Sequence, residues 1–213
     1  METLGDTKYE LTDAWQKFRK GDHAMLGEVF EDLYQELYYY GLKLVPLPDL
    51  VKDTIQDMFV DVWFRRQKMK EVRNIKAYFF VSVRRELLKR IKKLRQESAL
   101  ENGFYEPFEF SKEDFIVKEE VDSELTRTLV QSLDKLTGRQ REVVLLRFNH
   151  ELEFHEIAQV LEMNIQSVRN LLFRALESIR NNMRGLNVEG ASDIEVFLFG
   201  LFQKKNVNFS QKK

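Results

Sequence analysis

The sequence predicts an all-α protein made of two small helical domains, and three observations carry that expectation. Apolar residues recur at three- and four-residue steps over long stretches. The chain has 3 prolines and 9 glycines in 213 residues, too few for a sheet with many tight turns. No segment alternates apolar and polar residues well enough to read as a strand. Apolar residues at 43% and charged residues at 32% suit a folded, water-soluble chain.

The first domain, residues 1–96, reads as four helices. Leu11, Ala14, Trp15 and Phe18 share one face of the first, which ends at Gly21. The second starts after Asp22 and carries Leu26, Val29, Phe30, Leu33, Leu37 and Tyr40 until Pro46 and Pro48 break it. The third begins near Asp49, with Val51, Ile55, Met58, Phe59, Val62 and Trp63. A polar loop, Gln67–Arg73, leads to a fourth that starts at Asn74 and runs into a basic stretch.

Residues 97–118 read as an acidic linker interrupted by Asn102-Gly103 and Pro107, with a helix resuming near Ile116 and continuing to Leu136. Aromatics in the linker (Phe104, Tyr105, Phe108, Phe110 and Phe115) are available to dock on a neighbouring surface. The second domain occupies 119–184. In the tail, 185–213, Ser192-Asp193-Ile194-Glu195 has the form of a helix cap ahead of Val196, Phe197, Leu198, Phe199, Leu201 and Phe202. That apolar string could pack on the second domain, bind a partner or promote self-association, with core packing the plainest expectation.

A net charge of −1 conceals strong segregation. Arg84, Arg85, Lys89, Arg90, Lys92, Lys93 and Arg95 are opposed within their stretch by Glu86 alone. Beyond it Glu97, Glu101, Glu106, Glu109, Glu113, Asp114, Glu119, Glu120, Asp122 and Glu124 face Lys112 and Lys118. Local charge decides what a surface attracts, so a polyanion remains a candidate partner.

Several classes are disfavoured. Cysteine is absent, which removes disulfides and thiolate metal sites. His23, His150 and His155 lack metal-ligand spacing, and no glycine-rich phosphate loop or nucleophile motif occurs. No cofactor, metal, small-molecule substrate or catalytic role is expected. Without a signal-peptide pattern or a run of roughly 20 apolar residues, the expected location is the cytoplasm.

The segment Leu136–Arg180 is the most informative. Leu136-Thr137-Gly138-Arg139-Gln140-Arg141-Glu142 reads as a capped helix start, with Val143, Val144, Leu145, Leu146 and Phe148 as its core side. A short helix, Glu153–Leu161, buries Ile157, Ala158 and Leu161, and the small Ala158 permits close helix approach. Glu162-Met163-Asn164 turns the chain, with Asn164 as N-cap. The last helix buries Val168, Leu171 or Leu172, Ala175, Leu176 and Ile179. Gln166, Ser167, Arg169, Asn170, Phe173 and Arg174 are left facing outward, side chains suited to base edges and phosphates when a helix N-terminus enters a major groove.

Here the chain resembles a known family. Leu136–Val143, Glu156-Ile157-Ala158, Ser167-Val168-Arg169 and Arg174-Ala175-Leu176 are similar to region 4 of sigma factors, the domain that reads the −35 promoter element. Asp53–Trp63 is similar to their region 2 helix that docks on the polymerase clamp. Ile75-Lys76-Ala77-Tyr78-Phe79 followed by Arg84 resembles the helix that engages the −10 element. Both halves in this order, with a short linker and no third domain between them, resemble the extracytoplasmic-function class of the sigma-70 family.

The resemblance implies that the partners are promoter DNA and core RNA polymerase, held through its β′ clamp and β flap, with an anti-sigma factor as a further candidate. Asp53, Gln56, Asp57, Asp61 and Trp63 would meet the clamp. Arg73, Asn74, Lys76, Tyr78, Phe79, Ser82, Arg84, Arg85 and Lys89 would take the opened −10 strand, whose unstacked bases suit a basic surface beside aromatics. The acidic linker would pass the polymerase's positively charged channels as a nucleic-acid mimic, or serve as a solubilising tether. The chain departs from the family at Arg85, where Asn is usual, at Leu171 and Phe173, where basic residues or His are frequent, and at Glu162, where Gly commonly turns the chain. The alternative is a helix-turn-helix regulator that binds duplex DNA without replacing a sigma factor. A response-regulator type would need alternating strands and helices in front, and the N-terminal half lacks them.

Overall fold

A computed structural model of the chain describes residues 13–22, 24–68, 72, 74–97, 124–183, 194–196 and 198–199. Among them there is no strand. Two compact units divide the chain, Met1–Tyr105 and Glu106–Lys213.

The first unit holds α1 (residues 13–19), α2 (Ala24–Leu44), α3 (Pro48–Arg65) and α4 (Ile75–Glu97). Gly21, at φ +108°, takes the left-handed turn after α1 that a side chain would oppose. Asp22 then accepts the Ala24 N–H at the start of α2. Pro48 opens α3 at a position where a missing N–H costs nothing. α2, α3 and α4 pack on one another pairwise.

The mostly aliphatic core they enclose holds a cluster of aromatic rings. Phe59 stacks on Phe79 at 4.6 Å, with Phe30 edge-on to Phe59 and Trp15 edge-on to Phe79. Trp15, Phe18, Phe79 and Phe80 are fully buried, each such side chain stabilising by roughly 1.5–3 kcal/mol through removal from water.

The second unit holds α5 (Glu124–Asp134), α6 (Gly138–Val144), α7 (Phe154–Leu161) and α8 (Ile165–Asn182). α8 is its axis and packs on the other three. Thr137 and Gln140 cap α6 reciprocally, as the sequence pattern predicts. The helix does not run on regularly, however: Leu145–Asn149 widens into a π-turn. Phe148, Asn149 and His150, at the end of that turn and just beyond it, are all buried.

From the tail, Ile194 and Leu198 are buried, and Phe199 meets Phe148 edge-on at 4.8 Å. Ile194, Leu198 and Phe199 therefore join the core of the second unit, while Glu195 and Val196 face outward, Val196 at 72% exposed. Residues 98–123, which hold all but the first residue of the expected linker and the expected helix start near Ile116, lie outside the described residues, as do Leu11, Ser192-Asp193, Phe197 and Leu201-Phe202.

Candidate nucleic-acid interface

The helix-turn-helix is set by three local devices. At the start of α7, the Glu153 N–H donates to the buried Glu156 carboxylate at 2.7 Å. At its end, Glu162 adopts a left-handed conformation (φ +54°), and the Met163 N–H reaches the Ala158 carbonyl at 3.0 Å. Asn164 then caps α8, its Oδ1 accepting the Ser167 N–H at 2.7 Å. Ala158 is buried where α7 meets α8.

Of the two leucines in α8, Leu172 is the buried one and Leu171 is half-buried. Gln166, Arg169, Asn170, Phe173 and Arg174 are exposed, and Ser167 is half-buried at the capped end. Gln166 donates to Asn170 at 3.0 Å, so two polar side chains one turn apart are already oriented on this face. Phe173 is 65% exposed on the same face. Glu195 of the tail borders a shallow apolar cleft with Arg169, Phe173 and Arg180. Gln166, Asn170 and Arg174 stay exposed beside it.

Arg141 stands out because the sequence pattern offers no reason for burying it, yet it is only 6% exposed. Its guanidinium donates to the Leu136 carbonyl at 2.9 Å and to the Asp134 carbonyl at 3.1 Å. The buried guanidinium thus satisfies the last carbonyl of α5 and one in the connection after it, and ties the corner into α6.

In the first unit the sequence-derived residues divide. Asn74 caps α4, accepting the Ala77 N–H at 2.9 Å. Lys76 pairs with Glu36 of α2 at 2.7 Å. Tyr78 is half-buried, and burial holds its phenol pKa above the usual value, so the ring remains a neutral hydrogen-bonding group. The Ser82 hydroxyl donates back to the Tyr78 carbonyl at 2.8 Å. Arg84 is half-buried, while Arg85 and Lys89 are exposed, Lys89 lying 3.2 Å from Glu86. Phe79 must be corrected: it is 0% exposed, stacked between core rings, and cannot meet a base. It supports Tyr78 from below, edge-on at 5.4 Å. Arg73 lies outside the described residues.

On α3, Asp53, Gln56, Asp57 and Asp61 are exposed along one face. Asp57 pairs with Arg90 of α4 at 2.7 Å, and that hydrogen bond holds the guanidinium pKa further above its usual value. Trp63 is half-buried, tilted against Phe18 with the Arg66 guanidinium 4.9 Å from its ring. Sequence reasoning missed Val60, 54% exposed, and Phe64, 77% exposed. They lie one turn apart on the acidic face, off the Val51–Ile55–Met58–Val62 stripe, and that displacement is itself readable in the sequence.

Residues 132–181 match the family model for sigma-70, region 4. The RNA polymerase sigma factor SigV of Bacillus subtilis is 23% identical over 164 residues, covering 77% of this chain and 94% of that protein. The ECF RNA polymerase sigma factor SigW of the same organism is 20% identical over 178 residues, covering 80% and 95%. Among solved structures, the sigma factor RpoE in complex with the anti-sigma factor NepR from Bartonella quintana superposes with a TM-score of 0.54 at 17% identity, over 75% of this chain and 96% of that one. CnrH in complex with the cytosolic domain of CnrY gives the same TM-score and identity over 81% and 96%. These two share the fold. Residues 132–181 thus form a sigma-70 region 4 segment, and the relatives matched along most of the chain's length are sigma factors, one of them of the extracytoplasmic-function class.

Proposed function

We propose that this chain joins core RNA polymerase and directs it to promoters. In this reading residues 119–184 take the −35 element as duplex, and residues 1–96 take the polymerase clamp and the opened −10 strand. The observation that carries it is the outward face of α8. Its capped N-terminus and the row Gln166, Arg169, Asn170, Phe173 and Arg174 lie within the region 4 segment. Arginines grip phosphates or guanine, the amides suit adenine, and Phe173 suits a thymine methyl.

The −10 surface is assigned to Tyr78, Ser82, Arg84, Arg85 and Lys89, with Asn74 and Lys76 at the head of the helix. A basic helix beside a tyrosine fits an unstacked strand, and capturing a flipped base favours opening without nucleotide hydrolysis by this chain. No catalytic group is required. For the clamp we assign Asp53, Gln56, Asp57 and Asp61, with Val60 and Phe64 as apolar anchors and Trp63 as their support. The β flap is assigned to the second unit. Such a role places the chain in the cytoplasm. An anti-sigma factor is a reasonable regulator, on the ground that the RpoE neighbour is held by one.

Run-off transcription with purified bacterial core polymerase and a genomic promoter library tests this. Initiation that depends on the chain, at templates sharing one −35 and one −10 sequence, is expected. Substituting Arg169 or Arg174 should then weaken use of the upstream element alone. Duplex binding without any association with core polymerase would overturn the proposal in favour of an ordinary regulator.

A further inference from the structure

Phe154, the first residue of α7, carries an arginine from each of two different elements over its ring. The Arg147 guanidinium carbon lies 5.4 Å from the Phe154 centroid and 5.7 Å from that of Phe199. The guanidinium of Arg169, on the outward face of α8, also lies 5.4 Å from the Phe154 centroid. Arg147 is fixed in place by the Leu152 carbonyl at 3.1 Å and the Glu153 carboxylate at 3.6 Å. Phe199 is in turn seated edge-on against Phe148. A row Phe199–Arg147–Phe154–Arg169 therefore runs from the tail, beyond the 132–181 segment, to the proposed reading helix.

We propose that Phe154 is a positioning residue for Arg169, and that Phe199 supports it from the tail through Arg147. The proposal rests on reading α8 as the upstream-element helix. A guanidinium carries its five N–H donors in its own plane, so an aromatic ring against its face leaves those donors free for a phosphate or guanine. A carboxylate partner would compete for them. Holding a long side chain on such a platform also lowers the conformational entropy lost when DNA binds. The tail thereby contributes to promoter reading without touching DNA.

Two measurements on the full chain test this. In the NMR spectrum the Arg169 Nε–Hε resonance should show the ring-current displacement of Phe154, and Phe154→Leu should abolish it. Binding is then measured for the chain assembled with core polymerase, using labelled duplex that carries the upstream element selected in the transcription experiment. Phe154→Leu should weaken binding about two- to fivefold, the scale of one exposed cation–aromatic contact. Phe154→Trp should restore it, and Phe199→Leu should give a smaller loss in the same direction. In an Arg169→Ala chain, Phe154→Leu should cost nothing further. An equal loss in both backgrounds, or an Arg169 resonance unmoved by Phe154→Leu, overturns the positioning role and leaves the reading of α8 intact. An Arg169→Ala chain that binds the element unchanged overturns the DNA role of Arg169 and this inference with it.

Discussion

At the scale of single residues, side chains that act through local geometry were legible and those that act through distant neighbours were not. Thr137 and Asn164 announce caps because Ser, Thr, Asn and Asp serve a helix start from within three residues. Arg141 and Arg147 look like ordinary outward basic residues in a helical sequence. One is buried on the Asp134 and Leu136 carbonyls at the corner before α6 and the other lies between two aromatic rings, and neither environment follows from helical spacing. Phe79 was misplaced for the same reason, since two adjacent aromatics face different ways and the sequence alone does not say which one is covered. Glu162 was legible as a departure from glycine, and the structure supplies its cost. At φ +54° a side chain is opposed sterically by roughly 1–2 kcal/mol. Replacing it with glycine should stabilise the second unit by about 1 kcal/mol, after the extra chain entropy of glycine is set against the relief. Thermal or urea unfolding of Glu162→Gly reads this directly, and an unchanged or lowered midpoint would show that contacts of the glutamate outweigh the strain.

At the scale of elements, the helices were legible because their apolar spacing is long and uninterrupted, while their packing distances were not. α2 contains two glycines that sequence alone treats alike. Gly27 is exposed, and a Cβ built there meets nothing within 4 Å. Gly41 is buried, and its Cβ would lie 2.6 Å from Val51 Cγ1 and 3.3 Å from Leu87 Cδ1, so it sets the close approach of α2 to α3 and α4. Gly27→Ala should therefore stabilise by up to about 1 kcal/mol through helix propensity. At Gly41 the same gain is offset by overpacking of about 1–3 kcal/mol, and net destabilisation of about 1 kcal/mol is expected. Paired denaturant titrations decide it, and two changes of the same sign would contradict the packing read from α2. On α3 the exposed pair Val60 and Phe64 lies on the acidic face that we assign to the polymerase clamp. Phe64→Ala should leave folding stability within about 0.5 kcal/mol, as a substitution at the surface does, yet weaken capture by core polymerase at least tenfold if it fills a pocket there. Unchanged competition against another sigma factor for core polymerase would remove Phe64 from that interface.

At the scale of the whole molecule, net charge is a poor guide and sequential organisation a good one. Basic residues cluster on α4 and acidic ones follow it in the sequence, so a net charge of −1 says little about what any one face attracts. The order of the two helical modules was readable from their motifs, but the destination of the tail was not, because an apolar helix can bury its stripe on any surface. For the described part of the tail, Ile194 and Leu198 lie fully buried while Val196 stays 72% exposed. Burial of two aliphatic side chains contributes about 3–6 kcal/mol, which is comparable with the entire stability of many small domains. A chain ending at Ala191 should consequently lose most of the protection of the α6–α8 amides against hydrogen exchange, and with it the grip on the upstream element. Leu198→Ala, a milder change, should lower stability by about 2–5 kcal/mol and shift the same amides. Protection that survives both changes would mean that residues 132–181 fold without the tail, and the support for Arg169 would then have to come from α6 and α7 alone.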